Sequence, residues 1–567
     1  MKRKLLVLIF GSLLFVSCKQ TSSNYVAEIS ASQEKTEEIS LTDEQKREVY
    51  LRSLMDVETT LVEDEKIEND LLNILQGLKE KDEPQKIVPT LQKVNNNLFG
   101  LSDISFFSAD GGNIEESIKL SLYKLESGGK SGFAITCNDL RVGEILALVE
   151  EGEFDEDDPF TKLISSNIKA YVNETVQDWY ELKNKENEYK QKSVWEGLVT
   201  SKKYEYKNWK VNKKSSPLFL LKTKWAQGDG YNDVITKLKG GDFPAGCVTV
   251  AIAQIMAFHE YPNKYYGTKW EGFNTFKGKL VKHFPFAKEW DGKYDWWIMT
   301  WPEEIDGIDR DYPIYKLQIA SLMYEIAESC GASYSKDETN IYTENFGKGL
   351  LFHDYITGVC NKISMSKGEV DWGKGERIKL PPWLINKGPI TKPFSCTQLD
   401  IDNNETKSIG PKGNRIRYIN YSFDSVKSSI DNLCPVLIRG TAVNRKTEPD
   451  GKITFNESGH AWVIDGYCNL TCDAVHKETK ERKTITADYV HCNAGWGGTC
   501  NGYYISNVFT FGLDGGANAK DGEIRSSWTG SNQHYKYSVK IFPNLIPKSK
   551  LGRYSKYPWH YNWEALW

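Results

Sequence analysis

Apolar residues recur every three or four positions near the start of the chain, and this spacing gives way to alternation further along. The charged stretch 41–79 carries the helical spacing, which predicts an amphipathic helix. The apolar runs 120–125 and 132–137 flank a Gly-Ser turn, which predicts a β-hairpin. Helical spacing returns over 160–182. The pattern therefore predicts a small α+β module within residues 96–190.

A second and larger region, 218–545, changes from helical to alternating spacing. An apolar helix is predicted to begin at Cys247 and to end before Pro262, and another covers Tyr315–Cys330. Alternating runs such as 460–465 follow and predict strands. Helices first and antiparallel strands second predict an α+β fold for this region.

Polar segments separate and interrupt these regions. The Lys- and Glu-rich segment 191–217 is predicted to be a solvated linker. Segments 363–420 and 441–458 are rich in Lys, Asn, Gly and Pro, which predicts loop insertions. An aromatic C-terminal tail, 546–567, completes the organisation.

The first residues have the pattern of an export signal. Three basic residues precede the apolar run Leu5–Val16, which is too short to span a bilayer permanently, so residues 1–17 are predicted to be a signal peptide. Ser17-Cys18 at its end resembles a bacterial lipoprotein processing box, with Cys18 lipidated; an ordinary secretory signal is the alternative. Residues 18–95 would then be a tether and a helical segment. We expect an exported protein, either a cell-envelope lipoprotein at the periplasm or cell surface or a secreted protein.

Composition excludes several classes of protein. The chain has 567 residues, of which 40% are hydrophobic and 12% aromatic, so a long disordered chain is excluded. A net charge of −5 provides no basic field for nucleic acid. We therefore expect no nucleic-acid partner, and contact with a membrane only through a lipidated N-terminus.

The 11 cysteines allow more than one interpretation. Apart from Cys18 and Cys247 there are nine, and eight of these follow Cys247. An oxidising compartment would allow disulfides among these eight. Four of these eight also suggest a zinc set, but they lack paired CxxC spacing, and no histidine beyond His476 and His491 is suitably placed: Cys468, Cys472, Cys492 and Cys500. Disulfides or free thiols are favoured, and we expect neither a metal nor a cofactor.

Cys247 is the most informative residue. Pro244 and Gly246 interrupt the chain just before it, and an apolar helix follows, so the thiol is predicted to lie in the first turn of a buried helix. The positive end of a helix stabilises a thiolate, which is the nucleophilic form. The alternative is a thiol packed in the core, where free cysteines are common.

A cysteine nucleophile needs a base, a group that orients the base, and donors for the oxyanion. His460, preceded by Gly459 at the start of a predicted strand, is the candidate base, and Asn493 could accept its ring proton. The side-chain amide of Gln227 and the backbone N–H of Cys247 are the candidate oxyanion donors. Each has a structural alternative: a satisfied core histidine, a residue in a glycine-rich turn, and a turn cap.

Three ordered motifs resemble the streptopain family of papain-like bacterial cysteine proteases over about 218–543. They are Gly246-Cys247-Val248 running to Tyr261-Pro262, then Gly459-His460-Ala461, then Asn493-x-Gly495-Trp496-Gly497-Gly498. The resemblance implies a papain-like two-lobed cysteine protease domain at 218–545, with a helical half and an antiparallel sheet half. It also implies an inhibitory α+β pro-domain at 96–190, which covers the cleft until the activation linker 191–217 is cut.

The resemblance also implies the role of each site residue. Cys247 is the nucleophile and His460 the general base and then acid, while Asn493 orients His460 and Gln227 serves the oxyanion hole. Substrate contacts fall to Trp496, Gly495 and Gly459. The implied partners are protein or peptide substrates and the chain's own pro-domain. Family members close a glycine-rich loop over substrate, and here 512–518 and 529–533 occupy that place.

One position departs from the family pattern. Ala494 replaces a Trp that usually precedes the Gly-Trp pair. If that ring shields the hydrogen bond of the histidine from water, its loss predicts lower activity or a replacement aromatic, such as Trp462 or the tail 554–567. An exported cysteine endopeptidase made as a zymogen is the leading hypothesis. An amidase or transferase on the same scaffold and a catalytically retired binding module are the alternatives.

Overall fold

The computed structural model describes residue 51 and most of the chain from 61 to 550. The gaps within that range are 79–89, 96–97, 99–105, 108–112, 115–117, 128–129, 150, 156–158, 193–203, 268–271, 301–312, 337, 363–368, 372–376, 380–392, 399–406, 410–414, 448–452, 477–478, 481 and 511–533.

The described part of the chain from 61 to 192 contains two helices, α1 (Asp64–Leu78) and α2 (Pro159–Lys192), and antiparallel strands. The strands are β1 (Thr90–Asn95), β2 (Phe106–Phe107), β3 (Asn113–Ile114), β4 (Leu120–Ser127), β5 (Lys130–Cys137) and β6 (Ile145–Val149). Of these, β2 and β3 form a separate ladder. β4 and β5 pair in register, from Leu120 opposite Cys137 to Ser127 opposite Lys130. This pairing confirms the predicted hairpin. We call residues 61–192 the N-terminal module.

The chain from 204 to 352 begins with two strands and continues as a mainly helical half. Its elements are β7 (Tyr204–Tyr206), β8 (Lys210–Phe219), α3 (Asp233–Lys239), α4 (Cys247–His259), α5 (Phe273–His283), a 3-10 turn (Pro285–Glu289), α6 (Trp296–Met299), α7 (Pro313–Ser329), β9 (Ser333–Tyr334), β10 (Thr339–Asn340) and α8 (Thr343–Phe352). α4 begins at Cys247, as predicted. Within the described ranges, no helix is both long and apolar enough to cross a bilayer.

The chain from 355 onward is mostly extended. The strands are β11 (Tyr355–Lys362), β12 (Glu369–Asp371), β13 (Arg377–Lys379), β14 (Pro393–Gln398), β15 (Lys407–Ile409), β16 (Ile416–Asn420), β17 (Val436–Thr447), β18 (Ile453–His476), β19 (Arg482–Asn493), β20 (Gly502–Ile505), β21 (His534–Phe542) and β22 (Leu545–Pro547). Two helices, α9 (Phe423–Asp431) and α10 (Asn507–Thr510), and a 3-10 turn (Lys548–Lys550) accompany them. Helices therefore precede strands, and the α+β prediction is confirmed.

One sheet joins the N-terminal module to the C-terminal half. Its strand order is β1-β4-β5-β6-β20-β19-β18-β17-β21-β16-β15, and β7 and β8 also pair with β18. The junction is the antiparallel pair of β6 and β20, where Ala147 lies opposite Tyr504. β18 changes neighbour from β17 to β8 near Gly466. A Cβ at Gly466 would lie 2.1 Å from the carbonyl oxygen of Leu218, so only glycine permits this close approach.

Two hydrophobic cores lie on opposite faces of β18. Trp462 and Ile464 belong to a core shared with the N-terminal module. Ala461 and Val463 belong to a second core that contains the apolar residues of α4 and α7. This alternation follows from the two-residue period of a strand. The N-terminal module thus shares both a sheet and a core with the rest of the chain.

Several predicted linkers and loops are more regular than expected. The segment 191–217 was predicted to be an irregular linker, but β7 and β8 occupy most of 204–219 and pair with β18. The insertion 441–458 continues the β17–β18 hairpin, where Thr447 lies opposite Ile453. The signals missed were the strand formers Val, Ile, Thr and Tyr among the polar residues.

The domain boundaries at both ends also differ from the prediction. β1 lies before residue 96 but pairs with β4, so it belongs to the N-terminal module. α1 contacts the predicted linker, since Lys214 Nζ donates to the Leu78 carbonyl at 2.9 Å. At the other end, β22 pairs with β11 within the predicted tail, while 551–567 lie outside the described residues.

A buried cluster of charged groups joins α1, the N-terminal sheet and the predicted linker. Lys66 Nζ lies 2.7 Å from both Asp70 Oδ2 and Glu144 Oε1. Asp70 Oδ1 accepts the backbone N–H of Trp209 at 2.8 Å. Burial, followed by the neighbouring Asp70 carboxyl, raises the pKa of Glu144 to about 8. Glu144, as one of two neighbouring buried carboxyls, therefore holds its proton to a higher pH than an isolated carboxyl does.

This cluster predicts a pH-dependent stability for the full-length chain. Unfolded Glu144 ionises near its ordinary pKa of about 4.3, whereas the folded carboxyl keeps its proton up to about pH 8, so stability is lost as pH rises through this window. Relative to Glu144→Gln, wild type should lose on the order of a few kcal/mol of unfolding free energy between about pH 4.5 and 8. Urea unfolding at several pH values, in a Cys247→Ser background that prevents self-cleavage, measures the difference.

The control is Glu126→Gln, because Glu126 is exposed on the same sheet and its substitution should leave the pH slope unchanged. Parallel pH dependences for wild type and Glu144→Gln would contradict the assignment of a retained proton to Glu144.

Candidate active site

Cys247 is the first residue of α4 and is half-buried. Gly246 before it has a φ of +91°, and a Cβ there would lie 3.0 Å from Thr339 Cβ, so glycine is required. Thr339 in β10 donates its hydroxyl to the Pro244 carbonyl at 2.6 Å. The short β9–β10 ladder therefore fixes the turn that leads into the thiol.

The surroundings of Cys247 act on its thiol in opposite directions. Burial is the largest effect and raises the pKa of Cys247. The backbone N–H groups of Ala461 and Val248, followed by the positive charge of Arg439, act to lower the pKa. Because burial dominates, the net effect raises the pKa of Cys247, which disfavours the thiolate expected from the helix terminus alone.

Gln227 lies beside the turn that carries Cys247. Its backbone carbonyl accepts the N–H of Ala245 at 2.8 Å, and the residue is buried. This hydrogen bond joins Gln227 to Ala245, which lies two residues before Cys247. Its role as an oxyanion donor stays a prediction.

His460 lies on the face of β18 opposite to α4. Its ring stacks between Trp462, at 5.9 Å, and Trp496, at 6.1 Å between ring centroids. Phe160 from α2 of the N-terminal module lies 5.7 Å away on the same face. The next residue, Ala461, faces α4 and contacts the Cys247 sulfur through its backbone N–H. One strand backbone therefore separates the imidazole from the sulfur.

The electrostatic environment keeps His460 neutral. Burial lowers the pKa of His460 to about 4, while the Ala494 carbonyl, which the ring contacts, opposes this shift. The Nε2 atom is buried and has no hydrogen-bond partner among the described residues. A neutral thiol and a neutral imidazole without a mutual hydrogen bond cannot form the thiolate–imidazolium pair of an active cysteine protease.

Asn493 lies at the end of β19 on the α4 side of the sheet. Its Oδ1 accepts Gln254 Nε2 at 3.0 Å and the Gly495 N–H at 3.2 Å. Its Nδ2 donates to the Thr223 carbonyl at 2.9 Å. The oxygen is therefore occupied by groups other than His460, and the predicted orientation of His460 by Asn493 stays a prediction.

The remaining predicted site residues surround this strand end. Gly495 has a φ of +76°, and a Cβ there would lie 3.1 Å from Val250 of α4. Gly459 is exposed, and Trp496 is half-buried with its ring on His460. Trp462 stacks on the other side of the same ring, and its role as a replacement for the missing Trp at position 494 stays a prediction. Their roles in substrate binding stay predictions.

Sequence reasoning missed two residues of this site. Phe160 was assigned only to a helix, and nothing in its local sequence indicates contact with a histidine 300 residues later. Gln254 was visible as a polar residue within the apolar α4 pattern, a signal that could have marked it as a hydrogen-bonding group.

Some predicted features lie outside the described residues. These are Cys18, the loops 512–518 and 529–533, and the tail 554–567. Cys472 and Cys492 are buried free thiols. Across the described ranges, no group of three or more His, Cys, Asp or Glu side chains could hold a metal ion.

Comparison with known proteins gives one consistent family. The model of the peptidase C10 family matches residues 225–360 and 403–504, which contain Cys247, His460, Asn493 and Gln227. Streptopain of Streptococcus pyogenes serotype M1 is 23% identical over 443 residues, covering 73% of this chain and 80% of that protein. Another S. pyogenes streptopain is 24% identical over the same length.

Two solved structures were also similar. A fragment of Prevotella intermedia prointerpain A matches 82% of this chain and 99% of its own, with 16% identity and a TM-score of 0.38. Active wild-type interpain A of the same organism matches 58% of this chain and 94% of its own, with 17% identity and a TM-score of 0.28.

The position of His460 predicts that the Cys247 thiol reacts slowly with alkylating agents in the full-length protein. Iodoacetamide should alkylate Cys247 slowly at pH 7, because burial raises the pKa of the thiol. Phe160→Ala removes the ring that packs against His460, and we expect the alkylation rate at pH 7 to rise about tenfold as the imidazole gains access to the sulfur. Mass spectrometry of the peptide that contains Cys247 reports the rate.

A matched control is Phe154→Ala, which removes another aromatic ring from the N-terminal module but one that packs on Phe133. It should leave the Cys247 rate near wild type. Equal rates in the Phe160→Ala variant and wild type, with both folded, would show that Phe160 does not restrain His460.

Proposed function

Because the chain is a streptopain-like cysteine peptidase of the C10 family, we propose that it is an exported endopeptidase made as a zymogen. The observation that carries the zymogen proposal is the packing of Phe160, from the N-terminal module, on His460. That contact lies on the face of β18 opposite to α4, where His460 cannot serve Cys247. The N-terminal module is then the inhibitory pro-domain.

Activation requires His460 to cross to the α4 face of β18. Gly459 precedes it, is exposed, and offers a backbone without a Cβ for the rotation. On that face the imidazole would reach Cys247 and leave the apolar contacts with Phe160 and Trp462 that depress its pKa. Removal of Phe160 with the pro-domain frees the ring for this change.

The chemistry then follows from the residues on the α4 face. The Cys247 thiol transfers its proton to His460, and the thiolate attacks the peptide carbonyl carbon to form a tetrahedral oxyanion. The backbone N–H of Cys247 and the Gln227 side-chain amide donate to that oxyanion. His460 gives its proton to the leaving amine, and the acyl group remains on Cys247 as a thioester. Water activated by His460 hydrolyses the thioester and regenerates the thiol.

The pro-domain contacts the catalytic region over a continuous surface. Besides the β6–β20 pair, Tyr489 donates its hydroxyl to the Ile145 carbonyl at 2.7 Å, and Thr161 Oγ1 lies 3.1 Å from Cys500 Sγ. Lys224 pairs with Glu151 at the edge. We infer that a single cut leaves the pro-domain bound, and that activity appears when it dissociates or is degraded.

The proposed position of the activation cut is supported by the regular structure on either side of the linker. Peptide bonds within α2, which ends at Lys192, and within β7 and β8 are held in helical or sheet hydrogen bonds, which block entry into a protease cleft. The proposed cut therefore falls within 193–203, and β7 and β8 stay with the mature enzyme.

The route of export is proposed from the first residues alone. The basic start, the short apolar run and Ser17-Cys18 support a lipoprotein signal, with Cys18 as the lipidated N-terminus of the precursor. After a cut within 193–203, dissociation of the pro-domain would then release the catalytic region from its membrane anchor. The substrates are proteins or peptides.

Self-processing is the direct test of this function. Purified full-length protein should shorten with time by cleavage within 193–203, and Cys247→Ser and His460→Ala should stay full length. Gel analysis with N-terminal sequencing of the product identifies the cut. The control Cys330→Ala, which removes a buried free thiol that follows α7, should shorten at the wild-type rate. Equal shortening of Cys247→Ser would exclude Cys247 as the nucleophile for maturation.

A further inference from the structure

Gln254 is a buried polar residue in an otherwise apolar helix, and the proposed reaction does not use it. It lies seven residues after Cys247 in α4, so two helical turns place both residues on one face. Its side chain is fully buried. A buried amide is costly unless it is hydrogen-bonded, so its partners indicate why the helix contains it.

Gln254, Asn493 and Thr223 form a closed ring of hydrogen bonds. Thr223 donates its hydroxyl to Gln254 Oε1 at 3.0 Å. Gln254 Nε2 donates to Asn493 Oδ1 at 3.0 Å, and Asn493 Nδ2 donates to the Thr223 carbonyl at 2.9 Å. The ring joins the helix that carries Cys247, the strand end beside His460 and the segment that leads to Gln227.

The backbone partners fix the orientation of both amides. Asn493 Oδ1 also accepts the backbone N–H of Gly495, which can only donate, and Nδ2 faces the backbone carbonyl of Thr223, which can only accept. These partners distinguish Oδ1 from Nδ2 in the Asn493 amide. Gln254 must therefore present its Nε2–H group to Asn493 Oδ1. All three side chains are buried, so water does not compete for these bonds.

We propose that Gln254 is a positioning residue that holds the Asn493 oxygen on the α4 face, ready to accept the ring N–H of His460 in the mature enzyme. The oxygen has two acceptor sites, and both are occupied here. The Gly495 bond is the longer of the two at 3.2 Å, and it is the one that His460 replaces. The Gln254 bond persists and prevents the Asn493 side chain from rotating away.

This role has a signature in the pH dependence of activity. A hydrogen bond to Asn493 stabilises imidazolium more than imidazole and raises the pKa of His460 in the active state. Loss of Gln254 leaves Asn493 free to rotate, so the pKa of the imidazolium falls. The alkaline limb of the kcat/KM profile then moves to lower pH, whereas a purely structural loss changes stability and leaves the limb in place.

The inference rests on the proposed peptidase function, and the test uses mature enzyme made from the full-length chain. Gln254→Met keeps the volume and removes the donor. We expect kcat to fall about tenfold with little change in KM, and the alkaline limb to move down by roughly one pH unit. The double variant Gln254→Met/Asn493→Ala should lose no more than Asn493→Ala alone, because the two residues act as a unit.

Gln318→Met is the matched control, since Gln318 is also a buried helical glutamine with one hydrogen bond, from the Asp295 N–H at 2.7 Å. It should lower the melting temperature and leave the alkaline limb in place. A Gln254→Met enzyme with wild-type kcat and pH limbs, or losses that multiply in the double variant, would overturn the proposal.

A second readout separates this inference from the proposed function. Alkylation of Cys247 by iodoacetamide reports the thiolate and needs no peptide hydrolysis. In Gln254→Met the rate at pH 6 should fall several-fold below that of wild type and Gln318→Met. A wild-type enzyme without peptidase activity would refute the proposed function. An unchanged alkylation profile in Gln254→Met would refute the positioning role.

Discussion

The two-residue alternation of β18 is the constraint on which the state of this molecule depends. Ala461 faces α4 and brings its N–H to the Cys247 sulfur, so His460 must face the other way while the strand keeps its regular pleat. The proposed nucleophile, Cys247, and the proposed base, His460, are thereby separated by the backbone of one strand. The pleat and the packing of Phe160 on His460 together maintain this separation in the full-length chain.

The N-terminal module, the proposed pro-domain, shares a sheet and a core with the rest of the chain. Phe160 is fully buried and contacts Trp462 and Tyr504 as well as His460. The same core includes residues from α1 to β21, and β8 lies between α1 and β18. Folding of the two regions is therefore coupled, and the free energy that orders the pro-domain also holds His460 on the inactive face.

The sequence alone carried much of the local structure and the identity of the nucleophile turn. The start of α4 at Cys247 followed from Gly246 and the apolar run, and the β4–β5 hairpin from alternation and the Gly-Ser turn. The shared sheet was not predictable, because pairing of β6 with β20 joins residues more than 350 positions apart and neither strand differs in pattern from an edge strand. The face of His460 was also hidden, since periodicity gives alternation but not which face a partner covers. The expected lowering of the Cys247 pKa was wrong for a related reason. The helix terminus is visible in the sequence, whereas the burial that outweighs its effect on the pKa is not.

The junction at β20 has a consequence for the enzyme after maturation. Loss of the proposed pro-domain would remove β6 from β20. The four-residue strand β20 would then become an edge strand of the sheet. Tyr504, which is buried against Phe160, would then lose that cover beside unsatisfied backbone donors and acceptors. An exposed edge strand favours self-association, and the short length of β20 limits this tendency. The tendency of the proposed mature form to self-associate would thus depend on the same β6–β20 junction that joins the N-terminal module to the rest of the precursor.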